Sequence, residues 1–121
     1  MKQTHWILDH NGEPLEEPNP LKWARWFEGN DRHVALDTRK GVQISTVFLG
    51  LDHQFGDGAP LLYETMVFGG PHDQYCERYS SKEAAMAGHK RAVAMVERAN
   101  ETVDSFQKGE ESNANNRVRS D

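Results

Sequence analysis

The alternation of apolar and polar residues predicts where the strands of this chain lie. Residues 4–8 are predicted to form a short first strand that is stopped by the turn at residues 9–12, with its Asn11-Gly12 pair. From residue 32 to residue 49 apolar side chains recur at every second position on both sides of a turn, which predicts a hairpin whose second strand is central. Residues 61–68 predict a further strand and residues 75–79 a short edge strand. The acidic, proline-bounded residues 13–18 are predicted to form a loop.

Two other segments carry the three- and four-residue spacing of helices. Asn19 followed by Pro20 predicts the start of a helix over about residues 20–28, with Trp23, Trp26 and Phe27 on one stripe that is expected to be core. Residues 80–83 match a capping box at the start of a long second helix. The stripe of that helix consists of Ala85, His89, Ala92, Val96, Ala99, Val103 and Phe106.

The resulting order, β-α-β-β-β-α, predicts an α+β fold. We expect a three- to four-stranded, mostly antiparallel sheet with both helices on one face, which leaves the other face partly open for binding. Tyr63 and His53 are candidates for that open face. Residues 1–107 are predicted to form one domain, and residues 108–121 a disordered tail, because that segment has almost nothing to bury.

Composition and charge narrow the classes of function. The net charge is −5, and residues 1–80 hold 7 Lys and Arg against 12 Asp and Glu. An acidic body argues against a general nucleic-acid binder, since phosphate binding relies on clustered positive charge. No window is long and apolar enough for a membrane span, and residues 1–9 lack the features of a signal peptide, so a cytoplasmic location is expected. The single cysteine, Cys76, can form neither an internal disulfide nor a multi-cysteine zinc site.

The central part of the chain resembles a family of small bacteriophage and prophage proteins of uncharacterised function. The resemblance is carried by residues 45–53, Ser-Thr-Val-Phe-Leu-Gly-Leu-Asp-His, and continues through Glu-Thr-Met-Val-Phe-Gly-Gly at residues 64–70. It extends over roughly residues 4–96. The resemblance implies a phage or prophage gene and action in the host cytoplasm, and it implies no mechanism or catalytic residue.

Histidine and carboxylate side chains are the groups with which a catalytic or metal site is built. The candidates here are Asp52, His53, Glu64, His72, Asp73 and His89, but their spacing matches no known ligand pattern, so no catalytic residue, metal or cofactor is predicted. Glu64, in the middle of a strand, is expected either to face solvent or to pair with Arg78 or His89. Cys76 with nearby His72 offers a thiol nucleophile only if a third group orients the base.

The loop at residues 50–60 is long for a connection between two strands, and such loops often carry function. The favoured hypothesis is therefore a non-enzymatic binding protein that acts on a host or phage protein, or a small ligand, through its sheet face and this loop. Inhibition of a host process, such as a defence system, would suit a phage gene. The candidate binding residues are Asp52, His53, Gln54, Phe55, Glu64 and His72. One alternative is a metal-dependent or acid–base enzyme that uses His53, Glu64 and His72, and the other is a sponge for a nucleotide-like ligand, which would need a concave pocket. The oligomeric state is left open.

Deletion of the tail tests the predicted domain boundary. A chain that ends at Gln107 is expected to keep the melting temperature of the full chain to within about 2 °C, since the residues removed bury little apolar surface. Thermal unfolding followed by circular dichroism measures this. Loss of the cooperative transition would place part of the tail in the folded core.

Overall fold

Six strands and two helices make up the fold in a computed structural model, which describes residues 3–54 and 56–116 and side chains as far as residue 102. The elements are β1 (Trp6–Leu8), β2 (Pro14–Glu16), α1 (Pro20–Gly29), β3 (His33–Arg39), β4 (Val42–Phe48), β5 (Tyr63–Phe68), β6 (Cys76–Tyr79) and α2 (Lys82–Asn116). The predicted α+β class is confirmed, and the predicted order of elements is matched roughly.

Strand β2 is the element that the sequence pattern missed. Residues 13–18 are predicted to be a loop, but residues 14–16 pair antiparallel with β1, with Trp6 opposite Glu16 and Leu8 opposite Pro14. Pro14 is tolerated because the first residue of an edge strand needs no N–H for the ladder. Three residues are too few to show an alternation of apolar and polar side chains. The strand is therefore defined by its pairing with β1 and not by its own sequence pattern.

The larger sheet has the order β3-β4-β5-β6, and every neighbouring pair in it is antiparallel. Strand β4 is therefore central, as predicted. The register places Ile44 opposite Val67, Thr46 opposite Thr65 and Phe48 opposite Tyr63. All six of these side chains are buried, so they define one covered face of the sheet.

Helix α2 covers that face with the predicted stripe, which is confirmed for Ala85, His89, Ala92 and Val96. The helix begins one residue later than the predicted capping box, because the amide of Ala84 donates to Oγ of Ser81 at 3.1 Å. It continues to Asn116 and so includes residues 108–116, for which the sequence predicts disorder. Helical hydrogen bonds are local and do not by themselves require docking, so the dispensability of the tail stays a prediction.

The core consists of two apolar clusters with a polar layer between them. One cluster holds Val42, Ile44, Val67, Ala92 and Val96. The other holds Phe48, Leu62, Tyr63, Tyr79 and Ala85, with Trp6, Leu8, Trp26 and Val34 packed around it. Among the side chains that the structure describes, Thr46, Thr65 and His89 are the buried polar residues, and each lies between the two clusters along its own strand or helix.

Helix α1 packs at the end of the second cluster. Its N-cap is as predicted: Oδ1 of Asn19 accepts from the amides of Leu21 and Lys22. The predicted aromatic stripe is half-buried rather than fully core, since no residue of α1 is buried. Trp26 meets Phe48 edge to face at 5.7 Å between ring centroids. The indole of Trp23 donates to the carbonyl of Gly50 at 2.9 Å, which ties α1 to the start of the 50–60 loop.

Gly88 allows α2 to approach the sheet closely, and its replacement tests that contact. A Cβ atom built on Gly88 would lie 2.0 Å from Oη of Tyr79 and 2.2 Å from its Cζ. We expect Gly88→Ala to lower the free energy of unfolding by about 1–3 kcal/mol, the usual cost of overpacking, even though alanine favours a helix over glycine by about 1 kcal/mol.

Urea denaturation measures the effect. The exposed neighbouring variant Ala87→Gly is the control for helix propensity alone. Gly88→Ala should cost less in a Tyr79→Ala background than in the wild type, because the ring that the new Cβ would meet is gone. An unchanged midpoint for Gly88→Ala would mean that the helix does not lie this close.

Candidate functional site

The polar layer is a continuous hydrogen-bonded chain that joins three strands to α2. Oγ1 of Thr65 lies 2.5 Å from Oγ1 of Thr46, which lies 2.7 Å from Nδ1 of His89. On the other side of the imidazole, Nε2 of His89 lies 2.7 Å from Oδ2 of Asp37. Asp37 is the only member with substantial exposure. This series of hydrogen bonds therefore runs from the middle of the core to the protein surface.

The carboxylate of Asp37 fixes the direction of its hydrogen bond with His89. The hydrogen bond from His89, with Arg39 nearby, holds the pKa of Asp37 below its ordinary value of 3.8, so the group is ionised at neutral pH and can only accept. Nε2 of His89 therefore donates to Asp37, and the hydroxyls of Thr46 and Thr65, which can each donate and accept, complete the hydrogen bonds at Nδ1. Each member has a partner, which is the condition for a stable buried polar network.

Hydroxyl, imidazole and carboxylate occur here in the order found in nucleophile–base–acid triads. Burial prevents that use. Thr46 and Thr65 have no exposed surface and His89 is 4% exposed, so a substrate carbonyl cannot reach the hydroxyl. The hydrogen-bonded chain from Thr65 to Asp37 is therefore suited to hold α2 on the sheet rather than to react.

Further ion pairs extend this attachment at the surface. Arg39 bonds Asp37 through Nη1 and Glu97 of α2 through Nε, both at 3.2 Å. Asn100 of α2 donates to the Arg39 carbonyl at 3.2 Å. Strand β3 is therefore fixed to α2 at its last residue as well as at Asp37.

In the 50–60 loop, the structure places Asp52 as a residue that shapes the backbone. Its Oδ1 accepts from the amides of Gln54 and Leu61, at 2.7 and 3.0 Å. Asp52, His53 and Gln54 are all half-buried, and Phe55 lies outside the described residues. Gly50, where the loop begins, has a φ of +74°, and a Cβ there would lie 3.2 Å from the ring of Phe27. A binding contribution from these loop residues stays a prediction.

The two candidate histidines of the enzyme alternative lie at opposite ends of β5. His53 precedes the strand, and His72 follows it in the turn to β6. Six residues of strand span about 20 Å, which is too far for both imidazoles to act on one substrate atom. Across residues 3–54 and 56–102, no three His, Cys, Asp or Glu side chains are grouped so that they could hold a metal ion.

Glu64 is paired with Arg78, one of the two partners expected. Its Oε2 accepts from Nε of Arg78 at 2.9 Å and from the Cys76 thiol at 3.3 Å. Partial burial and this bond to Glu64 raise the pKa of Cys76, so the thiol is a weaker nucleophile than an ordinary cysteine at neutral pH. His89, the other expected partner, is bonded to Asp37 instead.

The face of the sheet opposite α2 is open, as predicted. Among the described helices and strands, α2 makes the extensive contact with β3 to β6 and covers the opposite face, and Trp26 of α1 meets Phe48 at the end of that same covered face. The alternation of the strands assigns the following side chains to this open face: Leu36, Thr38, Gln43, Ser45, Val47, Glu64, Met66, Phe68, Cys76 and Arg78. Leu36 is 50% exposed and Phe68 41%. Tyr63, expected on this face, is buried on the other one because it lies opposite Phe48 and Tyr79.

A groove of about 640 Å³ lies beside the first turns of α2. Its walls are Glu13 on one side and Lys82, Glu83, Met86 and Lys90 on the other. Charges of both signs are interspersed along it. Because carboxylates alternate with ammonium groups, the groove offers no uniformly positive surface to a phosphate group, and the nucleotide-sponge alternative stays a prediction.

Comparison of the chain with protein-family models, with curated proteins and with solved structures finds no match. The resemblance to phage proteins therefore stays a prediction. Neither helix, over the described residues, combines the length and the apolar character that crossing a membrane requires.

The hydrogen bond between His89 and Asp37 predicts a specific loss of stability in acid. A carboxylate whose folded pKa is lowered contributes stability that is complete above its ordinary value of 3.8 and is lost as the pH falls through the lowered value. Removing this carboxylate should therefore flatten the dependence of the free energy of unfolding on pH below about pH 4.

Urea denaturation between about pH 2.5 and 6 compares the wild type with Asp37→Asn, His89→Gln and the double variant. Asp37→Asn and the double variant should share the flattened profile, and His89→Gln should lie between them and the wild type, because Arg39 still lowers the pKa of Asp37. Asp31, whose pKa is lowered by His33, is present in all of them and cancels in the comparison. Additive effects of the two single variants would show that the two side chains contribute separately.

Proposed function

We propose that this chain is a non-enzymatic binding protein of phage origin and that it engages a host or phage protein through the open face of its sheet. The observation that carries the proposal is a run of apolar side chains on the face that no described helix covers: exposed Leu36 and Phe68, which the strand register links through half-buried Val47 and Met66. Apolar side chains grouped on an exposed face mark interaction sites more often than chance.

The size of the open face suits a small, specific contact. Four strands at a spacing of about 4.8 Å and about six residues at 3.4 Å each give a face of roughly 400 Å². A standard protein interface buries about 800 Å² on each partner. The partner must therefore extend beyond the face, where His53 and Gln54 at one end of the sheet and His72 at the other are the candidates for additional contacts.

The edges of the sheet favour binding by the face rather than by strand addition. Edge strand β3 has an irregular register between His33 and Ala35, and Nη1 of Arg39 donates to the Thr38 carbonyl at 3.1 Å. Edge strand β6 has four residues and carries Arg78. Irregular pairing, short length and charge are the devices by which proteins discourage pairing with another strand.

The geometry of the candidate residues disfavours the enzyme alternative. The hydroxyl–imidazole–carboxylate chain is enclosed between α2 and the sheet, and partial burial together with the bond to Glu64 raises the pKa of the Cys76 thiol. Both would need rearrangement before they could react with a substrate. A surface that binds needs no such change.

A pair of leucine variants tests whether the open face binds. Leu36→Asn removes an apolar contact from the open face, whereas Leu21→Asn makes the same change on α1, where Leu21 is 70% exposed. We expect Leu36→Asn to reduce recovery of the partner from lysates of infected cells by roughly tenfold, and Leu21→Asn to leave it unchanged.

Melting temperatures of both variants, measured on the same preparations, control for folding. Cys76, the single cysteine, supplies a second readout, because it lies on the open face and the recovered partner should slow its reaction with a maleimide. The double variant Cys76→Ser with Ala87→Cys moves the thiol to an exposed position on α2 and should react at the same rate with and without the partner. Equal recovery by the two leucine variants would refute the proposal.

A further inference from the structure

The open face contains an ion pair that is satisfied within the face. Glu64, whose side chain is 15% exposed, is bonded to Arg78, and no other carboxylate, lysine or arginine is assigned to this face among the described residues. At the rim, His33 is bonded to Asp31 at 2.9 Å. The centre of the face thus has no net charge, although the chain carries −5.

The uncharged polar groups on the face can pair with copies of themselves. Thr38, Gln43 and Ser45 each carry both a donor and an acceptor. In a contact with twofold symmetry each residue near the axis meets its own counterpart, so a lysine or a carboxylate there would face a like charge, whereas a hydroxyl or an amide would face a partner. Ser45 and Met66, opposite each other on the two central strands, lie near the middle of the face.

We infer that a second copy of this chain covers the open face when no other protein is bound to it. The contact is isologous, with Ser45 and Met66 close to the twofold axis. The inference rests on the proposed function in one respect: the partner protein displaces the second copy, so that self-association regulates the same surface.

The area of the face and the charge of the chain set the strength of this contact. A face of roughly 400 Å² per copy is about half of a standard interface, so the dimer is weak and reversible rather than permanent. Each copy carries −5, and their repulsion is screened by salt. The association constant should therefore rise with ionic strength, the opposite of an interface built on complementary charges.

Charge substitution at the centre of the face provides the test. Sedimentation equilibrium from about 10 µM to 1 mM should detect a wild-type dimer that becomes tighter between about 50 and 500 mM salt. Ser45→Glu and Ser45→Lys should each be monomeric, because like charges meet across the axis, and a 1:1 mixture of the two should associate. The matched controls Ala87→Glu and Ala87→Lys, on the outer surface of α2, should dimerise like the wild type.

The reaction of Cys76 with a maleimide, measured on the wild type over the same concentrations, does not depend on how the variants fold. It should slow by at least about twofold as the dimer forms. A wild type that is monomeric throughout, with a constant rate at Cys76, would overturn the inference and leave the result for Leu36→Asn intact. Dimers of Ser45→Glu as tight as those of the wild type would also overturn it, since they would place the contact elsewhere.

Discussion

The attachment of α2 to the sheet is the interaction on which the rest of the structure depends. The helix lies close because Gly88 leaves room for the ring of Tyr79, and because His89 must reach both Thr46 and Asp37. Apolar side chains alone would tolerate a shift of the helix by a residue or a change of its tilt. The hydrogen bonds do not, since a displaced His89 would leave several buried polar atoms without partners, at a cost of about 1–3 kcal/mol each.

This attachment also determines which surface is available for binding. Once α2 has taken one face of the sheet, with α1 and the β1–β2 hairpin at the end of the same core, the described chain has no other element to place on the opposite face. The hydroxyl, imidazole and carboxylate that resemble a catalytic triad, those of Thr46, His89 and Asp37, are bonded to one another and hold the helix on the sheet. The surface available for binding is a small, nearly neutral sheet face between the edge strands β3 and β6, and both of our proposals concern that face.

Much of the fold was predictable because its signals are local. Asn19 and Pro20 mark the start of α1, the period of two marks β4, and the stripe from Ala85 to Val96 marks the buried side of α2. Strand β2 was not predictable, because its three residues become a strand only by pairing with β1. The length of the 50–60 loop suggested a binding role, but the Asp52 carboxylate accepts hydrogen bonds from two backbone amides, those of Gln54 and Leu61.

The polar layer was also not predictable from local patterns, because its contacts join residues that are far apart in the sequence. Asp37 and His89 are 52 positions apart, and neither the alternation of β3 nor the helical stripe indicates that they meet. The signal that was present is the occurrence of Thr46 and His89 at positions where an apolar residue is expected. Two polar residues on core positions of different elements indicate a shared buried network, because each would otherwise be left without a partner.

The blunted edges of the sheet also limit how this protein can assemble. An exposed strand edge allows chains to add one after another without end, as in fibrils. Here the irregular register of β3 and the shortness of β6 discourage that route. A twofold contact between two open faces, by contrast, buries the open face of both copies and leaves none free for a third. The proposed twofold contact would therefore close after two copies, so that raising the concentration would add dimers rather than lengthen an assembly.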